Sequence, residues 1–226
     1  MLNLPVYNQG DELWRNRRMA PSQYTIGQAG CYITSFTMSL HNFAINLTPG
    51  QVLDRLIAVN GLNNEGLLTY DGMMRAFPSV FFYDRVNTTN DPSSNGVEMR
   101  ADVAIRKVRR LLDLGQPTIL CVDNLGNDGY PDHAVIAKDY KLSGSEVIDF
   151  RIHDPDGGKE LWFTEKYGPL MTKLYGYVAL VGPPINFPDQ STDQEDGGAL
   201  WKASQVRRGI NVGTYTKEIM DNLLAA

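Results

Sequence analysis

The sequence predicts an α+β fold, an N-terminal helical half packed on a C-terminal antiparallel sheet, and three observations predict it. Up to residue 115 apolar residues recur at helical spacing in four separate stretches. From residue 117 onward four short runs rich in β-branched and aromatic residues follow one another. Two of those runs are separated only by Ser143, Gly144 and Ser145, too short a connection for anything but an antiparallel hairpin.

Residues 1–30 hold Pro5, Gly10, Trp14, Pro21, Gly27 and Gly30 and read as an extended arm wrapping onto a core. The pattern changes at Cys31. Residues 31–43 place Ile33, Phe36, Met38, Leu40 and Phe43 along a largely buried helix. A second helix follows Thr48, which can cap, and Pro49, which suits a first helical position; Asn60 and Gly61 stop it. Residues 66–78 read as a third helix, 79–86 as a strand and 87–96 as a polar loop. The fourth helical stretch, within residues 97–115, turns Val103, Val108, Leu111 and Leu112 inward and Arg106, Lys107, Arg109 and Arg110 to solvent, and Gly115 ends it. Strands are expected at residues 117–124, 133–142, 146–155 and 176–182. The proline-rich and acidic stretch 183–198 reads as a linker, and 199–226, with Trp201 and a short amphipathic end, as a tail that docks on the domain or on a partner. Residues 1–182 then form one domain.

At 226 residues, 42% hydrophobic and 21% charged, the chain suits one such domain with a substantial core. A net charge of −5 argues against nucleic acid as a partner, because phosphate neutralisation needs a basic face. The longest apolar runs are too short to cross a bilayer, so membrane insertion is not expected, and the N-terminal residues carry no readable export signal. Two cysteines in unlike settings make neither a disulfide framework nor a zinc site. No metal motif and no phosphate-cradling glycine pattern occurs, so neither metal nor cofactor is expected.

Cys31 lies at a loop-to-helix boundary, where backbone amides and the positive end of the helix dipole favour an anionic sulfur and can meet a developing oxyanion. The bland reading is a small buried residue, and the glycine-rich approach from Thr25 to Gly30 favours the functional one. Cys121, inside an apolar run, reads as core filler. His133 opens a strand and can take a thiol proton; Asp154 closes the next strand of the hairpin and can fix the tautomer of His133, although Asp154 or Asp156 can equally shape a turn. For a side-chain amide facing an oxyanion the candidates are Gln9, on the arm, and Gln28, just ahead of Cys31, with Gln9 preferred. His41 reads as a helix-surface residue, and His153 should point away from the face used by Asp154.

The segments PVYNQGDELW, YTIGQAGCYITSFTMSL, LTPGQVLDRL, LGQPTILCV, DHAVIAKDY and HDPDGG, in this order, resemble the bacterial and phage papain-like peptidases related to bacteriocin-processing double-glycine peptidases. The resemblance covers residues 4–182, and the string around Cys31 is its most specific piece. It implies a papain-like fold with Cys31 as nucleophile, His133 as base, Asp154 as orienter and Gln9 as oxyanion donor. Tyr32 and Ile33 depart from the small residue and proline common after such a cysteine. Among soluble relatives of phage and cell-wall context the natural substrate is a peptidoglycan stem or cross-bridge peptide. The resemblance therefore implies a cysteine peptidase with a peptide or peptidoglycan-stem substrate, expected to act as a phage or bacterial cell-wall lytic factor carried on a virion or other protein partner through the C-terminal tail, with cleavage of a protein as the nearest alternative. The rival expectation is a papain-like scaffold without turnover that serves as an assembly protein.

Overall fold

The computed structural model describes residues 1–90, 98–123 and 132–182. The expected linker at 183–198 and tail at 199–226, including Trp201, lie outside the described residues. The arm buries Leu4, Trp14 and Met19 against the core before α1 (Ile26–Ala29) and α2 (Cys31–His41) meet at Gly30. A side chain there does not fit, since a Cβ would stand 2.5 Å from the Ile26 carbonyl oxygen. α2 is buried from Ile33 to Leu40, and two of its hydroxyls turn back on the helix, Thr37 to the Ile33 carbonyl at 2.8 Å and Ser39 to the Phe36 carbonyl at 2.6 Å. A buried hydroxyl in an apolar helix needs such a partner.

α3 (Pro49–Ala58) starts with a reciprocal cap: the Thr48 hydroxyl accepts from the Gln51 amide at 3.4 Å and the Gln51 side chain accepts from the Thr48 amide at 2.9 Å. Asn60, at φ 51°, turns the chain out of it. α4 (Tyr70–Ala76) is shorter than the 66–78 the apolar pattern suggests. The reason is local: the Asn63 carboxamide accepts the amides of Glu65 and Leu67 and holds a turn, so the helix begins only after its cap Thr69.

β1 (Phe81–Thr88) and β2 (Glu98–Met99) are followed by α5 (Ala101–Asp113), β3 (Thr118–Val122), β4 (His133–Ser143), β5 (Glu146–Asp154), β6 (Lys159–Trp162), α6 (Phe163–Lys166), α7 (Leu170–Lys173) and β7 (Gly176–Val181). The strands form one sheet in the order β2-β1-β7-β3-β4-β5-β6, antiparallel throughout except for the β1–β2 pair. The molecule is therefore α+β; α1, β6, α6 and α7 add to the expected elements, and there are three further departures from expectation. The first residues of the fourth helical stretch are the short parallel strand β2. Within α5, Ala104 and Ile105 occupy buried positions while Val103 is only half-buried. Helices also cover both faces of the sheet.

That last point follows from strand periodicity. Along β3, Ile119 joins the cluster under α2 and α3, whereas Leu120 and Val122 join the cluster under α5 and α6. β7 alternates in the same way, Val178 and Leu180 on one side and Tyr177, Ala179 and Val181 on the other. Strands with both faces covered read as continuous apolar runs, as TILCV and GYVALV do. The sheet thus holds α2 rigidly across the start of β4, the strand that begins with His133.

Candidate active site

Two devices bring α2 to β4. Ser35, one turn beyond Cys31, donates its hydroxyl to the Ala134 carbonyl at 3.0 Å, a contact between residues 99 apart in the chain. Ala134, Ile136 and Ile119 pack beneath Ile33 and Phe36 in a single apolar cluster. Cys31 then emerges at the N-terminus of α2 beside His133, and both line a cleft of about 480 Å³.

His133 Nε2 lies 2.8 Å from Asp154 Oδ1, which leaves Nδ1 as the ring nitrogen for Cys31. The hairpin brings the two together: β4 and β5 are antiparallel neighbours with Ile136 opposite His153, so the side chain that opens β4 reaches the side chain that closes β5. His133 is 7% exposed and Asp154 is fully buried. Burial alone would push the imidazole pKa down, but hydrogen bonds and charge from Asp154 and Cys31 outweigh it and lift it to about 9. Burial would also raise the Asp154 carboxyl, yet hydrogen bonds from His133, Lys166 and Tyr167 bring it down to about 2.

Lys166 and Tyr167 are the members of this group that sequence reasoning missed. Asp154 Oδ2 accepts from Lys166 Nζ at 2.8 Å and from the Tyr167 hydroxyl at 2.6 Å, and Oδ1 also accepts the Asp156 amide at 2.9 Å. β6 runs back along β5 and α6 returns the chain over the end of β5, so residues 12 and 13 positions away converge on Asp154. The one sequence signal was the Lys-Tyr pair after a short helical turn, which carries no information until the strand order is known. Asp156 is itself held by Lys166 at 2.9 Å and shapes the turn.

The arm delivers Gln9. The Gln9 amide bonds the Pro155 carbonyl at 2.9 Å, and Gly158, at φ 60°, leaves room for Asn8, whose Cβ would stand 2.8 Å from a Cβ there. Tyr7 is locked by its hydroxyl on His41 Nε2 at 3.0 Å and by an edge contact with Trp14. His41 is accordingly half-buried and tethers the arm, a correction to its reading as a surface residue. Gln9 Nε2 donates to the Gly27 carbonyl at 3.2 Å, which leaves its second N–H for a ligand in the cleft. Gln28 also lines the cleft, but its side-chain oxygen accepts from the Thr25 amide at 3.0 Å and caps α1.

Two further cysteine-proximal findings stand out. Cys121 is half-buried and lines the same cleft, so the core-filler reading is corrected: alternation along β3 turns it to the α2 side, beyond the part of the sheet that α2 covers. Tyr32, the departure noted after Cys31, also lines the cleft. His153 points to the sheet face opposite that of Asp154, fully buried, with Nδ1 on the Pro5 carbonyl at 2.9 Å and Nε2 on Glu160 at 2.8 Å. It anchors the arm and stays out of the cleft.

Chemically, the arrangement joins a thiol, an imidazole and a buried carboxylate in series, with a carboxamide and the first backbone amides of α2 nearby. Those amides have no acceptor within the helix. Among the described residues no group of three or more His, Cys, Asp or Glu is placed to hold a metal, and no helix is long and apolar enough to cross a membrane. No family model, curated protein or solved structure matches the chain.

Proposed function

We propose that the protein is a thiol-dependent peptidase of papain-like architecture, akin to the bacteriocin-processing double-glycine peptidases, acting on a peptide or peptidoglycan-stem amide. The observation that carries this reading is that Cys31 and His133 line one open cleft with the buried Asp154 behind the ring, 2.8 Å from Asp154 Oδ1 to His133 Nε2. With a pKa of about 9 the imidazole holds the proton at neutral pH, and the sulfur attacks the amide carbonyl. Gln9 Nε2 and a backbone amide at the start of α2 receive the oxyanion. His133 gives its proton to the leaving amine, then takes one from the water that hydrolyses the thioester. Asp154 holds the ring and the positive charge throughout.

The biological setting that fits is a phage or bacterial cell-wall lytic factor. A net charge of −5 gives no attraction to an anionic wall, so carriage on a virion through residues 199–226 supplies delivery. The test is release of new amino groups from purified cell walls and, in parallel, from unfolded protein, by wild type and by Cys31→Ala. Amine release from walls by wild type alone is expected. Release from protein only would move the substrate, and equal release by both variants would discard the mechanism.

A further inference from the structure

The far end of the cleft carries a cation that the proposed chemistry does not use. Arg85, on β1, is exposed, lines the cleft with Asn87 and Tyr70, and makes no ion pair among the described residues. Its guanidinium lies 5.9 Å from the Tyr70 ring centre, and Tyr70 in turn stacks on Phe82 at 4.0 Å, so the arginine rests on a built aromatic platform. Arg85 and Asn87 are two residues apart on one strand and share a face. Cross-strand register sets Asn87 opposite Gly176, Gly176 opposite Cys121 and Cys121 opposite Ala134, next to His133. No side chain rises from Gly176, and a groove can run from Arg85 to Cys31.

Charge is divided along this groove. Asp132 and Asp156 line its His133 end, where Asp156 is bonded by Lys166; Arg85 stands at the other end. A substrate carboxylate is repelled near the scissile bond and attracted farther away. We infer that Arg85, supported by Tyr70 and Asn87, is a specificity-determining residue that binds a free carboxylate of the peptide substrate, either an acidic side chain or a chain terminus. Arg85 lies three strands from β4, about 14 Å across the sheet, and a peptide advances about 3.3 Å per residue. After allowing for the reach of the arginine, the carboxylate belongs to a residue two or three positions from the bond that is cut. This inference rests on Cys31 being the reactive thiol.

The probes are affinity labels applied to the full chain. Bromoacetyl-oligoglycines ending in a free carboxylate, compared with their C-terminal amides, place the charge on the leaving-group side. Succinyl-oligoalanine chloromethyl ketones, compared with their acetyl counterparts, place it on the acyl side. Peptide mapping reads the alkylation rate at each cysteine. In one series the charged label two or three residues long should alkylate Cys31 about fivefold faster than its neutral twin, the scale of one charge-assisted pair. The ratio should fall to about one in Arg85→Met, recover in part in Arg85→Lys, and shrink in wild type as salt is raised. Equal rates for charged and neutral labels at every length, or a preference that survives Arg85→Met or high salt, would overturn the carboxylate subsite alone. Should no label favour Cys31 over Cys121, the thiol reading itself fails and takes the subsite with it.

Discussion

Replacing Asp154 by Asn tests the electrostatics of the site more directly than any loss of activity. The amide keeps an acceptor for His133 Nε2 but turns an NH2 toward Lys166 Nζ, which can only donate. The rise of the His133 pKa from 6.5 to about 9 corresponds to about 3 kcal/mol in favour of the protonated ring. That stabilisation is present in full below pH 6.5 and is lost as the pH rises through about 9, because the raised pKa belongs to the folded state. Urea unfolding of wild type should therefore show stability declining on the alkaline side by up to about 3 kcal/mol, a slope that Asp154→Asn flattens. At pH 6.5 the variant should be less stable by about 3–5 kcal/mol, the usual cost of breaking a buried ion pair from one side. The His133 ring proton resonance gives the site-specific reading. Its titration midpoint should lie far above 6.5 in wild type and be lowered in both Cys31→Ala and Asp154→Asn, since each variant removes one of the two partners that oppose burial. A wild-type midpoint near 6.5, or one that Asp154→Asn leaves in place, would refute the reasoning.

Other substitutions separate roles within the cleft. Gln9→Ala should lower kcat on the cleaved peptide about 100-fold or more, as removal of an oxyanion donor does, while Gln28→Ala, which loses a cap on α1, should cost stability and little turnover; the reverse order would reassign the donor. Cys31 and Cys121 are both half-buried on the same cleft, so access alone does not distinguish them. Iodoacetamide should label Cys31 at least about tenfold faster, and His133→Ala should erase that advantage; a ratio unmoved by the histidine would disconnect the two side chains. Ser35→Ala, which removes the hydroxyl tie from α2 to Ala134, should cost about 1 kcal/mol in chemical denaturation and lower the Cys31 labelling rate; unchanged stability and labelling would show that the tie does not set the helix position.

Much of the fold was legible because it is written in short-range chemistry. Thr48, Pro49 and Gln51 specify the start of α3, Ser143, Gly144 and Ser145 specify the β4–β5 hairpin, and alternation of β-branched residues marks β3, β4, β5 and β7. The candidate residues Cys31 and His133 were legible for the same reason, since a cysteine at a helix start and a histidine at a strand start are local positions. Where the reading fell short, neighbours close in sequence competed for the same groups. Asn63 held a turn and delayed α4, and residues 98–99 found a strand edge on β1 before the helix could begin.

By itself, then, the sequence determined the class of the fold, the order of its longer elements and the chemical types at the cleft. Only the tertiary structure decided that the last strand inserts between β1 and β3, that Lys166 and Tyr167 converge on Asp154, that Gln28 caps α1 while Gln9 is tethered to the Gly27 carbonyl beside the cleft, and that Arg85 and Cys121 face the same cleft as Cys31. The physical reason is range. Caps, turns and periodicity act over a few residues, whereas strand order and register are set by the burial of two whole sheet faces at once, a sum over distant contacts that no local pattern encodes.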